Sequence, residues 1–136
     1  MNATSILRTG YWAGIIGDFF IAATILVPEM ARVDGYVYPM GLMSAAAFSW
    51  GVMLIIADRK PVERRWIAVP TLLVVVLIQV ATFLSLPFVE IPSWQLALSA
   101  AGGVFIFSFL LIGYLKTGNS DKISENDSAR LPQKED

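Results

Sequence analysis

The chain has 136 residues, 56% of them hydrophobic, with a formal net charge of −1 and a mean hydropathy of +0.64. A water-soluble domain of this length needs more polar surface, so the composition points to a bilayer and offers no basic excess for nucleic acid. It contains neither Cys nor His, which excludes disulfides, thiol relays and imidazole or thiolate metal sites, so no metal or cofactor is expected.

A hydrocarbon core roughly 30 Å thick takes about 20 helical residues. Four apolar blocks meet that length, at about 9–28, 39–57, 66–86 and 94–115. The expected fold is therefore all-α, a bundle of four transmembrane helices. The first block follows Arg8 and contains Asp18 among isoleucines and phenylalanines, with no small-residue cleavage pattern after it, so it reads as a retained span rather than a signal peptide. An Asp at a helix centre costs roughly 2.5 to 3.5 kcal/mol on insertion, against roughly 0.3 to 0.6 gained per Leu, Ile, Val or Phe. The first span is marginal alone. Tyr11, Gly14, Asp18 and Ala22 share one stripe of it, and Gly10 and Gly14 form a GxxxG beside the acid, so a neighbouring helix is expected to approach there.

The loop "ADRKPVERRW", residues 57 to 66, interleaves Asp58 and Glu63 with Arg59, Lys60, Arg64 and Arg65. It reads as a topology anchor touching anionic lipid, or as a docking site for a partner. Pro61 is expected to open a helix that sets Arg59 and Glu63 one turn apart. In the third block Pro70 is expected to kink the helix, and Gln79, Thr82 and Ser85 recur on one face, read mainly as packing. Gly102 and Gly103 mark a close contact or a flexible point in the fourth. Residues 116–136 carry nine charges and are expected to form a disordered polar tail.

With four spans, residues 1–8, 58–65 and the tail share a side and hold nine of the ten basic residues, against Arg32 alone opposite. The positive-inside rule then places both termini in the cytoplasm and the protein in the cell membrane. Trp12, Trp66, Trp94, Tyr11, Tyr36, Tyr38 and Tyr114 fall near the span ends, at interfacial level. The segments "RTGYWAGIIGD" (8 to 18) and "WGVMLIIADRKPVERRW" (50 to 66) resemble an uncharacterised family of small prokaryotic four-span membrane proteins. The resemblance covers the first half of the chain and implies the fold, with no activity attached.

Asp18 lies roughly 13 Å inside its span at 1.5 Å per residue. No Lys or Arg shares its depth, and Ser49, Ser108 and Gln79 are the candidate hydrogen-bond partners. An ionisable residue so placed is either interhelical glue or a proton or cation site. Asp18 and Glu29 lie roughly 16 Å apart along the helix, too far for a carboxylate pair, and nothing else suggests an enzyme. The expected function is a non-enzymatic accessory or assembly protein acting through helix and loop contacts with a membrane protein partner. The alternative is a proton-coupled or cation transporter built around Asp18 in a homo-oligomer.

Overall fold

The computed structural model describes residues 2–27, 38–87 and 90–130, with side chains as far as residue 118. Helix α1 (Ala3–Ile25) starts six residues ahead of the apolar block. Asn2 caps it, its Oδ1 accepting from Ser5 N at 2.8 Å, which satisfies one of the amides left free in a first turn. Helix α2 is Tyr38–Asp58. A loop and a 3-10 turn (Arg65–Ile67) lead into α3 (Ala68–Ser85). Helix α4 is Ser93–Arg130.

Three of these segments are long and apolar enough to cross a membrane, Tyr38–Asp58, Arg65–Ser85 and Ser93–Gly118. The first helix is not among them. Arg8, Asp18 and the run Gly10, Tyr11, Trp12 dilute its aliphatic content, so of the four expected spans three are evident by length and composition.

Two local expectations are corrected. Pro70 produces no break: it occupies the third position of α3, within the first turn, where amides have no intrahelical acceptor to lose. The polar tail expected from residue 116 begins as a continuation of α4 to Arg130. No Pro occurs between Pro92 and Pro132, and Thr117 is buried, its hydroxyl donating to the Gly113 carbonyl. Residues 131–136, together with Pro28, Glu29, Arg32, Asp34 and Tyr36, lie outside the described residues.

Helix α1 is the central element. It packs against α2 on one side and α4 on the other, while α3 packs on α4. Glycines set these distances. A Cβ on Gly113 would stand 2.7 Å from Leu7 Cα, so α1 and α4 meet backbone to backbone. The two glycines of the GxxxG serve different neighbours: a Cβ on Gly10 would meet Leu110 of α4, and one on Gly14 would meet Leu54 of α2, each at 2.8 Å. Because Leu7 sits on Gly113 in an antiparallel pair, the part of α4 beyond residue 118 projects past the start of α1.

The buried core is Leu7, Tyr11, Ile15, Leu54, Ala57, Ile67, Ala68 and Leu110. All of it lies at the end that carries the α2–α3 loop. Towards the far end α3 presents Leu73, Val76, Leu77, Val80 and Phe83 outward, as a lipid-facing helix does.

Candidate functional site

Two groups of polar residues merit functional attention, one at the loop end and one within the apolar layer. At the loop end, α1 runs antiparallel to α2, which brings the start of one helix beside the end of the other. Arg8 Nε donates to Asp58 Oδ1 at 2.8 Å and Nη2 to Oδ2 at 3.0 Å, a two-point pairing of guanidinium and carboxylate. The Arg8 side chain is 54% exposed, whereas that of Asp58 is 11% exposed. The hydrogen bond to Asp58, reinforced by its charge, raises the Arg8 pKa above its ordinary value.

Beside this pair the Tyr11 ring is wholly buried and its hydroxyl donates to the Arg64 carbonyl at 3.3 Å. Tyr11 is thus inside the bundle, not at the lipid interface where its position near a span end had put it. Arg64 turns back to donate from Nη1 to the Ile56 carbonyl, covering one of the acceptors exposed at the end of α2. Trp50 Nε1 donates to Thr71 Oγ1 at 3.3 Å, and Thr71 in turn donates to the Ile67 carbonyl, tying α3 to α2. The side chain of Arg65 reaches across to α4, with Nη1 3.4 Å from where a Cβ on Gly118 would be.

The loop itself folds as turns, so Arg59 and Glu63 are not paired one helical turn apart. Glu63 accepts instead from Lys60 Nζ, at 2.9 and 3.1 Å. Of the loop residues expected to meet a partner, Asp58, Glu63 and Arg64 are therefore engaged within the chain, and Arg59 is exposed. Sequence reading missed the roles of Arg8, Tyr11, Trp50 and Thr71. A usable signal existed for the first: an Arg opening one apolar block and an Asp closing the next stand at the same depth in an antiparallel pair.

Within the apolar layer, Asp18 is half-buried against α2. A Cβ on Gly51 would lie 3.4 Å from Asp18 Cβ and the same distance from the Phe19 ring. Asp18 and Phe19 thus pack directly against the Gly51 face of α2. Gly51 precedes Asp58 by seven residues, so the acid lies about 10 Å along α2 from the Arg8–Asp58 pair. Asp18 makes no hydrogen bond or ion pair among the described residues.

The three expected site residues do not assemble. Gln79 belongs to the α3–α4 contact, where Nε2 donates to the Ser99 carbonyl at 3.1 Å and the amide packs onto Gly103. Gly103 is therefore the close-contact glycine, while Gly102 has open space around it. Ser49 is exposed and lines an open groove of about 580 Å³ between the far halves of α1 and α2, with Phe19, Ala22, Leu26, Ser44 and Phe48. Within that groove Ser44 Oγ donates to the Ala22 carbonyl at 2.9 Å, and Phe19 meets Phe48 edge-on at 5.2 Å. Thr82 and Ser85 donate to carbonyls of their own helix, Ile78 and Thr82, as Thr and Ser within helices commonly do.

No family model, no curated protein and no solved structure matches the chain.

Proposed function

We propose that the protein is a four-span integral membrane protein in which α1 is the fourth span, with both termini cytoplasmic, acting as an accessory or assembly protein rather than an enzyme. One observation carries this reading: the start of α1, the α2–α3 loop and residues 113–118 of α4 meet at one end of the bundle. The packing of the first helix between two helices able to cross a bilayer supports its crossing with them, and an even number of crossings returns the chain to its starting side. The basic bias at that end supports the cytoplasmic orientation. Support for a contact role comes from the polar side chains, since Arg8, Asp58, Trp50, Thr71 and Gln79 all join helices of this chain. The family suggested by residues 8 to 18 and 50 to 66 fits the same architecture.

The test is labelling with an impermeant maleimide in intact cells. A cysteine at Asp34 should label and one at Lys60 should not, until the cells are opened. Labelling of both from outside refutes the topology. For the accessory role, crosslinking of the protein in lipid nanodiscs should yield a defined heterologous partner; a homo-oligomer alone would speak against it.

One observation favours a second reading, a small proton-coupled or cation carrier. Asp18 stands at a helix seam without a partner among the described residues, as an exchangeable site requires. The carboxyl infrared band, assigned by difference from Asp18→Asn, distinguishes the two. A band that titrates near neutrality and is lost when a lipophilic cation binds supports transport, and an unresponsive band supports the scaffold.

A further inference from the structure

We infer that a cleft between α2 and α3 receives a membrane-spanning helix of a partner protein, one that carries a Lys or Arg opposite Asp18. The inference deepens the accessory reading proposed above and rests on it.

The cleft follows from which residues of the two helices are covered. Helix α3 packs along α4, and a side-chain hydrogen bond ties it to α2 at Trp50 and Thr71, near the loop. Residues three, four or seven apart share one face of a helix, so this bond marks the faces that look at each other. On α2, Ala57 of that face is buried, Trp50 is half-buried, and Ala46 and Met43 are exposed. On α3, Thr71 is buried, Val74 is half-buried and Ile78 is exposed. Cover is lost on both faces with distance from the loop.

Asp18 lies on the floor of this cleft. On α1 it shares a stripe with Leu7 and Gly14. Leu7 meets α4 at Gly113 and Gly14 meets α2 at Leu54, so the stripe runs between those two helices. Leu54 is one turn from Trp50, and Gly103, onto which Gln79 packs, is two turns from Leu110, which Gly10 meets, so α3 lies over the same side. Every enclosed side-chain polar atom among the described residues has a hydrogen-bond partner, whereas Asp18 has none. Its carboxyl oxygens are therefore not enclosed, and an incoming group can reach them.

Charge decides the occupant. A carboxylate in an apolar layer calls for a cation. No helix of this chain carries a Lys or Arg at that depth: in α1 Arg8 is ten residues away, about 15 Å, α2 and α3 have none, and in α4 the first is Lys116. A second copy in the same orientation brings none either, and acyl chains bring none. A partner helix with aliphatic side chains against Met43, Ala46 and Ile78 and one ammonium or guanidinium at Asp18 covers the walls and forms a charge-assisted hydrogen bond, strengthened where water is excluded.

The probe is a synthetic Leu- and Ala-rich transmembrane peptide of about 20 residues with one Lys at its midpoint, compared with the same peptide bearing Leu there. Association with the full-length protein is read in phosphatidylcholine vesicles by energy transfer to an acceptor on a cysteine at Lys60. Wild type should prefer the Lys peptide by at least about tenfold, the lower range for a close buried charge pair. Asp18→Asn keeps the size and hydrogen-bonding capacity of the side chain and should abolish the preference. Ala46→Phe, at an exposed position one turn beyond Trp50, should weaken association by filling the cleft, whereas Val52→Phe, on another face of α2, should not. Equal binding of the two peptides, a preference that survives Asp18→Asn, or indifference to Ala46→Phe overturns the proposal. So does binding of a lipophilic cation at Asp18 without any preference for the Lys peptide, which favours the carrier. Crosslinking in nanodiscs keeps the two levels apart: a heterologous partner still captured by Asp18→Asn defeats this site alone, and no partner on wild type defeats the accessory reading itself.

Discussion

Gly113 and Gly102 occupy the same helix and differ in what surrounds them. A Cβ at Gly113 would stand 2.7 Å from the Leu7 backbone, whereas one at Gly102 meets nothing within 4 Å. Gly113→Ala should therefore push α1 off α4 at a cost of about 1 to 3 kcal/mol, the usual range for overpacking. Gly102→Ala should be neutral or stabilising by about 0.5 to 1 kcal/mol, since Ala loses less backbone freedom in a helix. Thermal unfolding in detergent checks both, and the opposite signs are the point of the comparison. Asp18 is the other residue with a decided prediction. Without a hydrogen-bond partner among the described residues it contributes desolvation and no bond, so Asp18→Leu should improve insertion of α1 by roughly 3 to 4 kcal/mol in a translocation assay. Failure of that variant to insert better would mean that the carboxyl has a partner beyond the described residues.

Among the elements, α3 is the most weakly held. Ala68 joins the buried core, and among the described residues two side-chain hydrogen bonds tie α3 to other helices, Trp50 to Thr71 near the loop and Gln79 to Ser99 further along. Removing the second by Gln79→Leu should lower stability by about 0.5 to 1.5 kcal/mol, the range of one neutral hydrogen bond. It should also raise hydrogen exchange in α3 more than in α1. Pro70→Ala should change stability by less than about 0.5 kcal/mol, because a first-turn proline gives up no helical bond. A larger loss would show that the 3-10 turn before α3 depends on the ring.

For the molecule as a whole, the Arg8–Asp58 pair ties the start of α1 to the end of α2, joining residues fifty apart. Arg8→Gln should destabilise the bundle by leaving the largely enclosed Asp58 carboxylate without its cation. The swapped double variant, Arg8→Asp with Asp58→Arg, should recover part of the loss, as a double-mutant cycle measures. The pH dependence follows from the raised Arg8 pKa. Its contribution is complete below the unfolded value and is lost only as pH rises through the higher folded one, so moderately alkaline buffer should not open this contact. A transition between pH 8 and 10 that vanishes in Arg8→Gln would contradict this.

Several of these features were legible in the residue order alone. The helical class and the apolar segments of α2, α3 and α4 follow from block lengths, since the bilayer thickness is a fixed ruler and hydropathy is a local sum. The segregation of basic residues, the marginal character of the first helix and the closeness conferred by Gly10 and Gly14 are equally local. What the sequence did not contain is the rotation of each helix about its axis, which determines the side-chain partners. Only the tertiary structure decided that α1 lies between α2 and α4, that Gly10 and Gly14 serve different neighbours, and that Gln79 belongs to α3 and α4 rather than to Asp18. The physical reason is geometric: a helix repeat names the residues that share a face, while the neighbour that face meets depends on interaxial distance and angle set by all the helices together.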